Sequence, residues 1–286
     1  MSLDFLAKVV PFNGFGIGGY KGTGISGPDD PAFSRRILCE GDSWFSIGAI
    51  PSGNLLFPLQ FEHSTLLINL AQPGDTIRNM SSISGNPVLK QLISEQKFAT
   101  KWDAIFISGG GNDLIDDANQ IICKPSLGAG QHMLDYVNNI DLENLKQKVQ
   151  KGFIQIADLR NGSKNSSTPI ITHIYDYPTP RNAKSTFLGF NVKGPWLYPA
   201  FKQNDIPIEF WISITDYLFE QLGACIISLS SRIDNFHVIT STRETLVRAQ
   251  LDTEGQDGDW LNEIHPTAEG YKKLGAKISA EMQGLL

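Results

Sequence analysis

The sequence predicts an α/β protein, a three-layer α/β/α sandwich around a parallel five-stranded sheet. Three observations predict it. Five short apolar runs are spread along the chain, helical periodicities fall between them, and three of the runs stop abruptly in polar, glycine-containing turns. Nearly continuous apolar runs, rather than alternating ones, mark strands buried on both faces. Strands that alternate with helices imply a parallel sheet covered on both sides.

The elements follow in order. Residues 11 to 31 are rich in glycine and proline, and residues 1–35 read as an irregular N-terminal arm. The first strand is Arg36-Ile37-Leu38-Cys39, ending in Glu40-Gly41-Asp42-Ser43. The second is Thr65-Leu66-Leu67-Ile68-Asn69-Leu70, followed by Pro73-Gly74. The third, Ala104-Ile105-Phe106-Ile107-Ser108, runs into three glycines. The fourth spans residues 169 to 175 and ends at Asp176 and Pro178, and the fifth is His237-Val238-Ile239-Thr240. Apolar residues at 142, 145, 149, 153, 156 and 159 predict a helix stopped by Gly162. Further helical patterns run from about Phe210 to Ile233 and from about Ala268 to Met282. Residues 179–208 break the alternation, with four prolines and the aromatics Phe187, Phe190, Trp196, Tyr198 and Phe201. A connection this long in a compact domain is usually functional or disordered, and its aromatic content favours order. The expectation is one flavodoxin-like domain over residues 36–286 with an aromatic insertion at about 179–208.

Composition narrows the function classes. The chain has 286 residues, 41% of them hydrophobic and 19% charged, enough apolar material for a sizeable core. The formal charge is −6 without long runs of one sign, which argues against a nucleic-acid partner. Three widely spaced cysteines, Cys39, Cys123 and Cys225, with no CxxC, argue against a disulfide framework or a zinc knuckle. Asp4 and Lys8 interrupt the only stretch that could serve as a signal peptide, and no run of about 20 apolar residues suggests a membrane span. A cytoplasmic protein is the expectation, with signal-independent export left open.

Ligand sites in parallel α/β sheets lie beyond the carboxyl ends of the strands. In a parallel sheet the turns Gly41-Asp42-Ser43-Trp44, Gly74-Asp75-Thr76 and Gly109-Gly110-Gly111-Asn112-Asp113 would all open on one edge. Asn262-Glu263-Ile264-His265-Pro266 precedes the last helix. A serine hydroxyl exposed on a tight turn needs a base to become a nucleophile, and histidine suits that task near neutral pH. Ser43 could otherwise be a simple helix cap, as could Asn112, and Gly74 a turn residue needing positive φ. The other histidines, His63, His132, His173 and His237, lack a patterned partner and read as structural.

Together these elements resemble the GDSL/SGNH hydrolase family, whose four named residues are a Ser, a Gly, an Asn and a His in that chain order. Here they are Ser43, Gly74, Asn112 and His265, with the GDS turn at Gly41-Asp42-Ser43 and the GxND turn at residues 110–113. The resemblance covers residues 36 to 280. It implies ester hydrolysis through an acyl-enzyme on Ser43, with His265 as general base and no cofactor. The backbone N–H groups of Ser43 and Gly74 and the side-chain amide of Asn112 would form the oxyanion hole. One departure stands out, because Asn262 occupies the place where the family usually has an aspartate three residues before the histidine. Asn262, or a carboxylate from Asp257 or Asp259, would then orient His265. Trp44, beside the serine, and Trp196, Tyr198 and Phe201 in the insertion are the expected substrate contacts. The substrates of the resembled family include small-molecule, lipid and carbohydrate esters, and nothing in the sequence selects among them or sets the oligomeric state.

Two alternatives share the sequence features. An acyltransferase would use the same residues with an alcohol in place of water. A silent carbohydrate-binding relative would use the insertion's aromatics, but the presence of all four site residues weighs against it. The GxGxxG match at residues 14–19 follows no strand and opens no helix, so it does not predict a dinucleotide site. Asp113, Asp116 and Asp117 read as a solvated helix start rather than a metal site.

Overall fold

The computed structural model describes residues 3–12, 15–16, 19–20, 24–46, 53–82, 84–95, 100–125, 130–187 and 190–286. Six parallel strands form its central sheet: β1 (Lys8–Pro11), β2 (Arg35–Gly41), β3 (Thr65–Asn69), β4 (Ala104–Ser108), β5 (Ile170–His173) and β6 (Phe236–Ile239). They lie in the order β6-β5-β4-β2-β3-β1. The five expected strands, β2 to β6, therefore have the flavodoxin-like order. Every residue of β4 and β5 is buried, as strands covered on both faces must be.

The sixth strand corrects the reading of residues 1–35 as an irregular arm. Lys8–Pro11 pairs in parallel with β3, from Lys8 opposite Leu66 to Pro11 opposite Asn69. Only Val10 of the four is buried. A four-residue edge strand that ends in proline carries little signal, and the edge tolerates the missing N–H. Phe5–Leu6 pairs with Gln60–Phe61, and Phe15–Gly16 with Gly19–Tyr20. Gly14, Ile17 and Gly18 of the GxGxxG match lie outside the described residues.

The helices are α1 (Ser43–Ser46), α2 (Ile77–Met80), α3 (Pro87–Ser94), α4 (Gly111–Ile121), α5 (Asn139–Asn161), α6 (Tyr198–Gln203), α7 (Trp211–Ile227) and α8 (Ala268–Gln283). The expected stripe on α5 is buried at Leu142, Leu145, Val149, Phe153 and Ile156. The helix starts earlier than its apolar pattern because the Asn138 side chain accepts the N–H groups of Ile140 and Asp141. It packs against α2, α3, α4 and α7. α8 is capped by Thr267 and meets Trp44 through Tyr271.

The segment Ile208–Ser231, which contains α7, is long and apolar enough to cross a membrane by length and composition alone, a test that buried core helices also pass. Half of its most apolar 18-residue stretch is buried inside the protein. Its inner face, including Trp211, Ile214, Leu218, Leu222 and Ile226, belongs to the core.

Ser185–Phe187 and Phe190–Lys193 form an antiparallel hairpin, and a cis Gly194–Pro195 bond leads to α6.

Candidate active site

The carboxyl ends of β2, β3 and β4 deliver three turns to one edge, at the point where the strand order reverses. Gly41 ends β2 beside Ser108 of β4, and a Cβ at Gly41 would come within 2.9 Å of the Ser108 side chain and carbonyl. Only glycine lets the two strand ends pass, and this places Asp42 and Ser43 over β4.

Ser43 opens α1 with its hydroxyl 2.7 Å from Nε2 of His265. Nδ1 of His265 lies 3.0 Å from Oδ1 of Asn262. Two backbone N–H groups fix the orientation of that amide, since Ile264 and His265 both donate to Oδ1, at 3.1 and 2.9 Å. An amide oxygen only accepts, so the imidazole carries its proton on Nδ1. Nε2 is left as the acceptor for the serine hydroxyl. The competing carboxylates are engaged elsewhere. Asp259 holds Lys273 and the Val247 N–H, while Asp257 holds the Gln250 N–H and Thr253.

Gly74 has φ +80°, a left-handed conformation that glycine adopts without strain. Among the described residues, neither its backbone N–H nor that of Ser43 meets an acceptor. Asn112, one residue into α4, donates one amide hydrogen to the Asp75 carbonyl at 2.9 Å. That bond clamps the Gly74 turn to α4 and leaves the second amide hydrogen. Asp113 also serves this turn, because its carboxylate accepts the Ile77 N–H at the start of α2.

A buried polar cluster supports the serine from below. Asp42 accepts the Trp44 N–H at 2.9 Å, the Ser108 hydroxyl at 3.2 Å and the Tyr175 hydroxyl at 2.5 Å. Burial raises the Asp42 carboxyl to about 6 against these bonds, which lower it. His173 lies 3.0 Å from the Ser108 hydroxyl and stacks on Trp44. Burial drives the His173 imidazole down to about 4, so it is neutral near pH 7. The structural reading of His173 holds, with the qualification that it lies directly under the site. The Trp44 indole donates to the Ile264 carbonyl at 3.1 Å, tying the serine turn to the histidine loop.

That loop is also tied to the insertion. The wholly buried Glu263 carboxylate accepts the backbone N–H groups of Trp196, Leu197, Tyr198 and Arg181. Burial raises its carboxyl to about 7, with the four bonds opposing. Arg181, also wholly buried, donates to the Asn262 and Gly255 carbonyls. The anchored Trp196 ring meets His265 edge-on at 5.2 Å.

The expected substrate contacts separate into two groups. Trp44 lines a narrow cavity beside Ser43, together with Asn112, Ile115, Tyr175, Pro178, Phe219, Trp260 and Ile264. Trp196 stands at His265 outside that cavity. Phe201 is wholly buried against Trp211, and Tyr198 meets the same indole edge-on, so this pair forms the foot of the insertion. Among the described residues, none of 179–208 lines this cavity. Among the described residues, no cluster of three or more His, Cys, Asp and Glu is placed to hold a metal ion.

No family model matches the chain, and no curated protein matches it. Solved structures do. The extracellular lipase of Streptomyces rimosus is similar at a TM-score of 0.51 and 12% identity, over 87% of this chain and all of the lipase (100%). A member of the lipolytic G-D-S-L family from Veillonella parvula is 16% identical at a TM-score of 0.45, over 88% of this chain and 100% of its own. The acetylxylan esterase Axe2 from Geobacillus stearothermophilus is 14% identical at a TM-score of 0.44, over 87% of this chain and 94% of its own. The likeness to the lipase is one of fold, and it includes the parallel sheet flanked by helices.

Proposed function

We propose that the protein is a carboxylic ester hydrolase of the GDSL/SGNH type, working through an acyl-enzyme on Ser43. The observation that carries this reading is the Ser43–His265–Asn262 line, with hydroxyl and imidazole 2.7 Å apart and the tautomer set by Asn262. The likeness in fold to a lipase agrees with it. Ser43 Oγ attacks the acyl carbon as its proton passes to Nε2 of His265. The carbonyl oxygen becomes an oxyanion facing the Ser43 and Gly74 N–H groups and the remaining Asn112 N–H. Collapse expels the alcohol, which takes the proton back from Nε2. Water then repeats the sequence on the acyl-enzyme and frees Ser43. A serine-directed fluorophosphonate tests the assignment, since it should attach to Ser43 alone. A label on another serine removes the basis of the reading.

Asn112 should matter mainly to the transition state. Asn112→Ala should lower kcat by about 10²–10³, the usual cost of one oxyanion donor, with little change in KM. The variant also releases the Asp75 carbonyl. A rise in KM at unchanged kcat would make Asn112 a substrate contact instead.

The cavity beside Ser43 sets the acyl group. Its free interior is about 20 Å³, bounded by Trp44, Ile115, Tyr175, Pro178, Phe219, Trp260 and Ile264. That holds one methyl-sized group, little more than the ~10–15 Å³ minimum for a water. Aryl acetates should therefore be cleaved faster than butyrates or octanoates. Phe219→Ala should move the optimum toward longer chains. A wild-type optimum at octanoate would mean that the acyl chain lies elsewhere.

A further inference from the structure

One basic side chain lies beside the Gly74 turn without a task in the reaction above. Lys193 ends the hairpin of the insertion. Its ammonium lies over the Gly74 turn, where a carbon added to Gly74 would come within 3.3 Å of Nζ. Its charge is felt at His265 and at Asp116 on α4. Among the described residues the Lys193 side chain forms no ion pair and no hydrogen bond, and the residue is exposed. Its backbone leads into an anchored segment. Three residues further on, the Trp196 N–H begins the set of backbone donors gripped by buried Glu263, in the loop that carries His265. In a chain of formal charge −6, the Lys193 ammonium has Asp116 as a neighbouring carboxylate, with no contact at ion-pair distance among the described residues.

A substrate counter-ion for it cannot sit in the acyl cavity. That cavity is methyl-sized, has no basic lining residue, and includes Asp42 and Asp176, which would repel a second carboxylate. A negative charge on the substrate has to lie on the alcohol half, outside the cavity. Resting on the ester-hydrolase reading, we propose that Lys193 is a specificity residue that binds an anionic group on the leaving alcohol, so that the substrates are short-acyl esters of negatively charged alcohols or phenols. The ammonium then gains a direct ion-pair contact, and the charged alcohol is oriented with its ester carbonyl toward Ser43 and Gly74.

Two esters of nearly equal shape test this: 4-carboxyphenyl acetate, an anion, and 4-carbamoylphenyl acetate, which is neutral. The readout is the ratio of their kcat/KM values. Lys193→Met should lower that ratio about fivefold, the size expected of a partly screened charge contact, and should do so through KM. Lys193→Glu should lower it further, and added salt should erode the wild-type ratio but not that of the methionine variant. An unchanged ratio overturns the proposal, including the case in which both esters slow together, which would place Lys193 at the reacting centre. A second measurement needs no turnover. Calorimetry with 4-hydroxybenzoate and 4-hydroxybenzamide should show the same preference for the anion and its loss in Lys193→Met. If wild type cleaves neither ester, the hydrolase reading fails, and the calorimetry alone decides the role of Lys193. Equal affinity for the two phenols, or no binding of either, counts against the proposal.

Discussion

Ser43→Ala is expected to remove turnover of aryl acetates almost completely, by roughly 10⁶-fold in kcat if the serine and histidine act as a unit. The loss follows from chemistry, because alanine offers no atom to carry the acyl group. What remains should reflect the Ser43 and Gly74 N–H groups and Asn112 acting on a water-driven reaction. The fold should not suffer. Among the described residues the Ser43 hydroxyl makes one hydrogen bond, to Nε2 of His265, so the substitution breaks no other contact of that group. The melting temperature should stay within about 3 °C of wild type, the shift of a 1 kcal/mol change in a domain of this class. Rates and thermal melts on the same preparation check both halves. Retained turnover in a folded variant would show that another group is the nucleophile.

The sheet was legible because its strands are buried on both faces. Runs such as Ala104–Ser108 cannot be much else when bounded by turns. β1 was not legible, since Lys8–Pro11 buries only Val10 and derives its identity from pairing with β3. The Ser43, Gly74, Asn112 and His265 set was legible because each residue sits at a strand end or helix start, where topology fixes the destination. The supporting groups were harder to find. Tyr175 and His173 lie at the end of the fourth strand, which the sequence placed at the correct edge, but nothing local marks a tyrosine 2.5 Å from Asp42. Glu263 sits inside the motif that contains His265, and its partners lie 65 to 82 residues away. Phe201 misled because aromatic content alone does not separate a pocket wall from a core. Lys193 has no pattern at all in sequence, and its significance arises only when the hairpin carries it over Gly74.

His265 and Asn262 should separate cleanly by magnitude and by pH. His265→Ala removes the base and should cost about 10²–10⁴ in kcat. Asn262→Ala leaves the base but frees its ring, and should cost roughly tenfold, the value of about one lost hydrogen bond. The pH profile gives the finer test. Burial first, and then the Lys193 ammonium, push the His265 imidazole down from its ordinary value to about 4. A lowered value keeps the base neutral into acid, so the acidic limb of kcat/KM should fall well below pH 6.5. Asn262→Asp keeps an acceptor for Nδ1 and for the Ile264 and His265 N–H groups, and adds a negative charge 3.0 Å from the ring. A neighbouring carboxylate favours the imidazolium, so the acidic limb should move up. The charge also stabilises the imidazolium formed as Ser43 attacks, so the rate on the alkaline plateau should hold or rise. On the proposed mechanism, the amide gives up some base strength and keeps the base unprotonated at lower pH. If Asn262→Ala is silent while Asp259→Ala inactivates, a carboxylate orients the ring despite the bonds that tie Asp259 to Lys273. An acidic limb that stays in place in Asn262→Asp would mean that residue 262 is not in contact with the catalytic imidazole in solution.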